Sequence, residues 1–233
     1  MDTQYLEALR DYLFEFVSEN KQQKFASIIQ NRSKHITVVL EDIFQSHNAS
    51  AVLRSCDLFG VQDVHIIENQ NKYHVNPDVA LGSSKWLNLQ YYSKSENNTI
   101  DCFNQLRSQG YKIVATTPHK DDCLLEELPL DQKVALVFGT ELHGLSDEAM
   151  QNADAFVKIP MYGFTESFNI SVSAAIILFY LTEKMRKMEI SWSLSETEKL
   201  TTMIEWAKQV IHKSDLIVED FDKKYNKNYK KKS

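Results

Sequence analysis

The stretch VKIPMYGFTESFNISVSAAIILFY, residues 157–180, decides how the chain folds, because a short strand pattern meets a loop that leads into a helix. That helix is apolar or small on nearly every face. It must therefore be buried all round, either in the core or against another subunit, and its small residues permit close helix packing. Either Ser167 or Asn169 is placed to act as its N-cap.

Upstream of this stretch, short runs rich in Val, Ile and aromatic residues alternate with helix-like segments. This alternation is typical of a parallel sheet with helices on its faces, so we predict an α/β fold. The predicted strands are residues 36–40, 64–67, 87–92, 112–116, 134–138 and 155–159, and the helices between them are residues 49–59, 99–108 and 147–152.

Two further helices are predicted outside this core, at about residues 2–19 and 196–213. The sequence therefore divides into four parts. These are an N-terminal helical segment (1–35), an α/β domain (36–186), a C-terminal helical extension (187–222) and a Lys-rich tail (223–233).

The composition is that of one globular domain with terminal additions, with 233 residues of which 43% are hydrophobic. The N-terminus carries acids in place of a basic leader, and no stretch approaches the roughly 18 apolar residues of a membrane helix. We expect a cytoplasmic protein. Its three cysteines are widely spaced and form no CxxC pair, which argues against a disulfide framework or a cysteine-based metal site.

The net charge of -6 argues weakly against a nucleic-acid partner, but the charge is unevenly distributed. Residues 223–233 carry six Lys and no acid, and residues 21–40 carry four basic residues and no acid. Such segments can contact phosphates electrostatically, although a Lys-rich end can equally be only solvated.

The first motif with candidate chemistry is HNASAVLRSCDLFG, residues 47–60. Asn48 is expected to cap a helix that Gly60 ends, with Arg54 about a turn and a half in. Both polar groups would lie at the carboxyl edge of the sheet, where α/β proteins bind ligands, although a cap and an exposed Arg are the simpler interpretation. Three apolar residues are predicted to face the sheet: Ala51, Leu53 and Leu58.

The second motif is VALVFGTELHGLS, residues 134–146, in which a strand runs into a glycine-containing loop. The spacing from Gly139 to Gly144 matches a phosphate-binding P-loop, but Leu145 stands where that loop has its Lys. No GxGxxG follows a strand either, so nucleoside triphosphatase and dinucleotide-binding functions are both disfavoured. His143 is a possible general base, although a lone loop His is more often an exposed polar residue.

Taken in order, these two motifs and IPMYGFTESFNISVSAAI resemble the three motifs of the SpoU class of SPOUT RNA 2′-O-methyltransferases. The resemblance covers roughly residues 36–186, and the flanking helices resemble those of the subgroup that methylates guanosine 18 of tRNA. It implies a trefoil knot near the C-terminal part of the sheet, an obligate homodimer, and S-adenosylmethionine bound in the knot. The knot replaces the open sheet that the alternation alone suggests.

The resemblance also assigns residues. For the cofactor it implies contacts largely through backbone groups and apolar walls, and many relatives carry Leu where this chain has Phe168. The functional polar residues that it implies are Asn48, Arg54, Glu141, Ser167 and Asn169, and the cofactor-binding residues are Thr116, Gly139, Ile159, Met161 and Phe168.

A methyl sulfonium is an activated electrophile, so the enzyme would mainly align the ribose 2′-hydroxyl and assist loss of its proton without a metal. The family resemblance makes Arg54 the catalytic residue. Because a guanidinium with a pKa above about 12 is not deprotonated in proteins, orienting the nucleotide and stabilising the alkoxide suit Arg54 better than acting as a base.

Three alternative functions remain. A ribosomal RNA substrate would keep the chemistry, although the N-terminal segment of about 35 residues is short for a separate RNA-binding domain. A non-catalytic RNA-binding dimer would have no need of all four of the residues Asn48, Arg54, Glu141 and Asn169. A nucleotide-phosphate binder would rest on the spacing of residues 139–144 alone.

Overall fold

The computed structural model of the protein describes residues 3–43, 45–71, 82–118, 123–140 and 143–229. The chain forms two compact units. One unit is α/β and comprises Ser33–Trp192, and the other is helical and comprises Met1–Arg32 together with Ser193–Ser233. The α/β unit contains the core expected at residues 36–186.

The described part of the α/β unit holds a seven-stranded parallel sheet in the order β3-β2-β1-β6-β4-β7-β5. All six predicted strands are confirmed to within one residue at each end. The two-residue strand β5 was not predicted, because a segment that short has no measurable alternation. The strands are β1 (Ile36–Glu41), β2 (Asp63–Ile67), β3 (Asn88–Tyr92), β4 (Tyr111–Thr116), β5 (Cys123–Leu124), β6 (Lys133–Phe138) and β7 (Ala155–Lys158).

The central strands are continuous apolar runs because helices cover both faces of a parallel sheet. Every residue of β1 and β2 is buried, and so are the last five of β6. In register, Leu136 of β6 pairs with Val38 of β1 on one side and with Val114 of β4 on the other. Since all strands are parallel, their carboxyl ends share one edge of the sheet.

In the described part of this unit, four helices accompany the sheet, together with a short 3-10 helix at Ser83–Trp86. The predicted helix at residues 147–152 is confirmed at both ends. The other two predicted helices, at residues 49–59 and 99–108, begin within three residues of their predicted starts. The helices are α3 (Ser46–Phe59), α4 (Asn98–Ser108), α5 (Asp147–Asn152) and α6 (Ile170–Lys187). In the helical unit, α1 (Thr3–Phe14), α2 (Glu19–Ile29), α7 (Glu196–Val210) and α8 (Ser214–Tyr229) complete the order.

The single N-terminal helix expected at residues 2–19 is wrong, because two helices, α1 and α2, occupy this region. The amides of Phe16 and Val17 bond to carbonyls three residues back and close a turn. Ser18 then takes an extended conformation, with φ -60° and ψ 145°, and α2 begins after it. An apolar period continues across such a turn, so periodicity alone cannot detect the break.

Helix α8 runs past residue 223, where the sequence predicted the start of a Lys-rich tail. It is held to α1 by side chains far apart in sequence: Tyr5 donates to Asp222 at 2.7 Å and Tyr12 to Asp220 at 2.6 Å. Burial and the Asp222 carboxylate raise the pKa of Tyr5 to about 12. These contacts supply stability that a charged helix lacks by itself.

Helix α6 packs against α3, but only one of its faces is buried within the chain. The expectation that it is buried all round therefore does not hold for a single chain. Val172 and Phe179 are two turns apart on the opposite face, and Phe179 is 58% exposed. The buried face comprises Ile170, Ala174, Ile177, Leu178, Leu181, Thr182 and Met185.

Candidate active site

A cavity of about 520 Å³ lies at the carboxyl ends of β4, β6 and β7, which is within the size range of small-molecule sites. Its floor and walls are largely apolar. Polar groups enter from Thr116, Thr140, His143, Glu166 and Ser167. The apolar lining includes Phe138, Leu145, Met150, Ile159, Met161 and Phe168.

The five residues expected to bind the cofactor surround this one cavity, although they come from three separate parts of the chain. Ser167, expected among the catalytic residues, lines it as well. The sequence analysis missed Thr117, Glu166 and Ser173, and only their proximity to the motifs could have signalled them. The five residues are Thr116, Gly139, Ile159, Met161 and Phe168.

Gly139, Thr140 and residues 143–145, here called the glycine loop, line the cavity. The loop is closed on itself, since the Thr140 amide donates to the Gly144 carbonyl at 2.8 Å and the Gly144 amide donates back at 3.0 Å. Gly144 has a left-handed φ of 69°. A Cβ on Gly139 would lie 2.2 Å from the Gly144 carbonyl oxygen, so only glycine fits at residue 139.

The two hydrogen bonds between Thr140 and Gly144 distinguish the glycine loop from a P-loop. In a P-loop, successive backbone amides point at the phosphates. Here the amides of Thr140 and Gly144 bond within the loop, and the His143 amide donates to Thr140 Oγ1 at 3.1 Å. The geometry therefore disfavours the nucleotide-phosphate binder.

Asn48 is not the N-cap of α3, which corrects the sequence prediction. The helix begins two residues earlier, after Gln45 in an extended conformation. Asn48 is buried in the first turn, where its amide group donates to Gln45 Oε1 at 3.1 Å. Its side-chain oxygen accepts from Asn169 at 3.2 Å, so tertiary contact has replaced capping.

Asn169 connects the first and third motifs. As the N-cap of α6 its Oδ1 accepts from the Ser171 amide at 2.9 Å, while its Nδ2 donates to Asn48. It follows Phe168, which lines the cavity. The starts of α3 and α6 are thus held together beside the cavity.

Arg54 is exposed on α3, and Leu58 lies one turn further on the same face and is 72% exposed. The expectation that Leu58 faces the sheet is wrong. Leu53 is fully buried, and a residue five positions later is rotated by about 140° around the helix. The predicted exposed Arg54 and the terminal Gly60, with φ 80°, both agree with the structure.

Three of the expected catalytic residues do not line the cavity. Among the described residues that surround it, Asn48, Arg54 and Asn169 are absent. Glu141 lies outside the described residues. The fold therefore brings together the residues that were expected to bind the cofactor, but it leaves Arg54 on the surface.

Next to Arg54 lies an apolar face made of Leu58, Phe59, Val172 and Phe179, here called the α3–α6 face. The rings of Phe59 and Phe179 are 6.1 Å apart between centroids and join the two helices. Exposed apolar patches of this kind mark interaction sites.

No helix in the described part of the chain is long and apolar enough to cross a membrane. No group of three or more His, Cys, Asp or Glu in that part of the chain is arranged to hold a metal ion.

The arrangement described above, a parallel sheet with a cavity at its carboxyl edge and the three motifs around it, has relatives among known proteins. The model of the SpoU rRNA Methylase family matches residues 35–179. The chain belongs to this family, which confirms the resemblance drawn from the three motifs.

The curated relatives are more specific. The tRNA (guanosine(18)-2'-O)-methyltransferase of Borreliella burgdorferi is 46% identical over 199 residues, which are 85% of this chain and 89% of that protein. The protein of the same name from Thermus thermophilus is 33% identical and covers 70% of this chain and 81% of its own length.

Solved structures share the fold. The A. aeolicus TrmH/SpoU tRNA modifying enzyme matches with a TM-score of 0.73 and 29% identity, covering 83% of this chain and 98% of that one. The SpoU methyltransferase AviRb from Streptomyces viridochromogenes, solved in complex with the cofactor AdoMet, matches at 0.57 and 21% identity, covering 69% and 62%.

We predict that Gly139→Ala weakens binding of S-adenosylmethionine, the cofactor that the family resemblance implies, by at least about tenfold. The new methyl group would displace the glycine loop from its closed form. Isothermal titration calorimetry measures this. Gly163→Ala is the matched control, since a Cβ there meets only the Thr165 amide at 4.0 Å. Equal affinities for the two variants would contradict the prediction.

Proposed function

We propose that this protein transfers a methyl group from S-adenosylmethionine to the ribose 2′-hydroxyl of guanosine 18 in tRNA. The observation that carries the proposal is the single cavity around which all five expected cofactor residues lie. The relative of 46% identity that carries this activity in its name supports the choice of substrate.

The residues around the cavity fit S-adenosylmethionine. Apolar side chains such as Ile159, Met161 and Phe168 suit the flat faces of adenine, and strand ends offer backbone amides and carbonyls. The glycine loop beside the cavity can also keep its closed form only because residue 139 has no Cβ. When bound, the cofactor supplies a methyl group on a sulfonium, an electrophile that needs no Lewis acid.

The chain's own residues would then bind and orient the ribose. The planar guanidinium of Arg54 offers a fork of hydrogen-bond donors, so it would hold a phosphate of the nucleotide and stabilise the forming alkoxide. Asn48 and Asn169, bonded to each other, would fix the starts of the two helices beside the cavity. As the family resemblance implies, Glu141 would organise the region of Arg54 together with Asn48, and Ser167 would hold the loop that leads into α6 together with Asn169.

We further propose a homodimer built on the α3–α6 face. Its apolar side chains need a cover that the α/β unit does not give, and a second copy offers the same surface. Arg54 lies on the same side of α3 as Leu58, so dimerisation would enclose it in the site.

A trefoil knot is supported by the sheet order, in which β6 inserts between β1 and β4 and β7 between β4 and β5. A cytoplasmic location suits a tRNA substrate.

A ribosomal RNA substrate is the second candidate, because the matching family model is named for rRNA methylases. The same cavity would serve both substrates. The two candidates are separated by the RNA that is modified.

We predict that the purified protein methylates an unmodified tRNA transcript at guanosine 18, and that protein stripped with EDTA stays active. Primer extension or alkaline hydrolysis locates the 2′-O-methyl group. A transcript with a 2′-deoxyguanosine at residue 18 is the control. Methylation of rRNA fragments but not of tRNA would contradict the substrate, and activity restored only by zinc would contradict the metal-free reaction.

We predict that Arg54→Ala lowers turnover by at least about a hundredfold, equivalent to roughly 2.7 kcal/mol of transition-state stabilisation, and leaves cofactor affinity nearly unchanged. Arg54→Lys should recover little, because lysine lacks the planar fork. Single-turnover kinetics give the rate. The control is Arg107→Ala, which removes a surface pair with Asp154. Arg54→Ala activity above about a tenth of wild type would exclude Arg54 as the catalytic residue.

We predict that Phe179→Glu converts the dimer into a monomer of 27.0 kDa, because a charge would be buried in the interface. Sedimentation velocity at micromolar concentration measures the mass. Tyr91→Glu is the matched control, since Tyr91 is 51% exposed on β3 at the sheet's edge. A wild-type monomer, or dissociation by both substitutions, would refute the interface.

A further inference from the structure

Glu41 is a buried acid that none of the assigned roles uses. It ends β1 and is 2% exposed. Its Oε1 accepts hydrogen bonds from Thr99 Oγ1 at 2.7 Å and Ser146 Oγ at 2.8 Å, and its Oε2 accepts one from the Ser146 amide at 2.9 Å. Burying a carboxylate costs free energy even when it is hydrogen-bonded, so an apolar residue would serve packing better.

The contact with Ser146 connects the Glu41 carboxylate to the cavity. Ser146 directly follows the glycine loop, whose residues Gly144 and Leu145 line the cavity. Its hydroxyl oxygen also caps α5 by accepting from the Ala149 amide at 3.0 Å. One end of the loop continues from β6, and the other end is fixed to the sheet through Ser146 and Glu41.

Glu41 is itself held in place. Thr99, which donates to it, also accepts from Asn69 Nδ2 at 2.9 Å. The neighbouring Asp42 has a left-handed φ of 53° and accepts from the Asn69 and Gln70 amides at 2.7 and 2.8 Å. Hydrogen bonds among the residues that follow β1 and β2 therefore hold the carboxylate in place.

We propose that Glu41 is a positioning residue for the methyl donor, because it fixes the glycine loop through both donors of Ser146. It sets the affinity of the cavity for S-adenosylmethionine without touching the cofactor. The inference rests on the proposed function and adds a determinant of cofactor affinity to it. Arg54 and the α3–α6 face are not part of this contact.

The test uses Glu41→Gln, which keeps the shape but replaces one acceptor oxygen by an NH₂ donor. The new NH₂ group must face either the Ser146 amide or the hydroxyls of Thr99 and Ser146. We expect the dissociation constant for S-adenosylmethionine, measured by calorimetry without RNA, to rise by at least about tenfold. The KM for the cofactor should rise in parallel, while kcat at saturating cofactor falls less than about threefold.

Asp63→Asn is the matched control. Asp63 is 7% exposed, begins β2 at the opposite edge of the sheet, and accepts from Asn88 Nδ2 at 2.7 Å. It shares burial and charge with Glu41 but does not contact the glycine loop. Its variant should bind the cofactor within about twofold of wild type even if its melting temperature falls.

Ser146→Ala and Ser146→Thr provide a second pair in case Glu41→Gln does not fold. Ser146→Ala loses the hydroxyl hydrogen bond to Glu41 and should weaken binding of S-adenosylmethionine. Ser146→Thr keeps a hydroxyl and should therefore bind the cofactor more tightly than Ser146→Ala. Wild-type affinity in folded Glu41→Gln, equal weakening by Asp63→Asn, or a kcat loss as large as the KM gain would overturn the inference. Failure of the wild-type protein to bind the cofactor would instead refute the proposed function.

Discussion

The insertion of β6 between β1 and β4 is the pairing on which the site depends. Leu136 contacts Val38 of one neighbour and Val114 of the other in register, although these three residues lie far apart along the chain. This pairing delivers Thr116, the glycine loop and the end of β1 to one edge of the sheet. Without it, the second and third motifs would be separate segments with no common cavity.

Much of the sheet could be predicted from the sequence because buried parallel strands are short, β-branched and apolar, and turn residues separate them. The cavity could not be predicted in this way. Many of its residues are apolar, and only the family resemblance indicated that Thr116, Gly139 and Met161 belong together. Glu41 had a signal that was overlooked, namely an acid directly after the apolar run Val38-Val39-Leu40.

Two of the differences have a common cause, which is that tertiary contacts replaced local preferences. Asn48 has the side chain of a cap but bonds to Asn169, and the helix starts at Ser46 instead. Helix α8 has a charged sequence, yet Tyr5 and Tyr12 hold it. The sequence indicated that α6 is apolar on nearly every face but did not indicate that only one of these faces packs within the chain.

The closed form of the glycine loop limits how this cavity can change over evolution. At residue 139 any side chain collides with the backbone, and the Thr140–Gly144 pairing uses main-chain atoms that substitution leaves in place. Met161, Glu166 and Phe168 also line the cavity, and they come from a different part of the chain. Substitutions there can change the shape and polarity of the cavity while the backbone of the glycine loop stays in place.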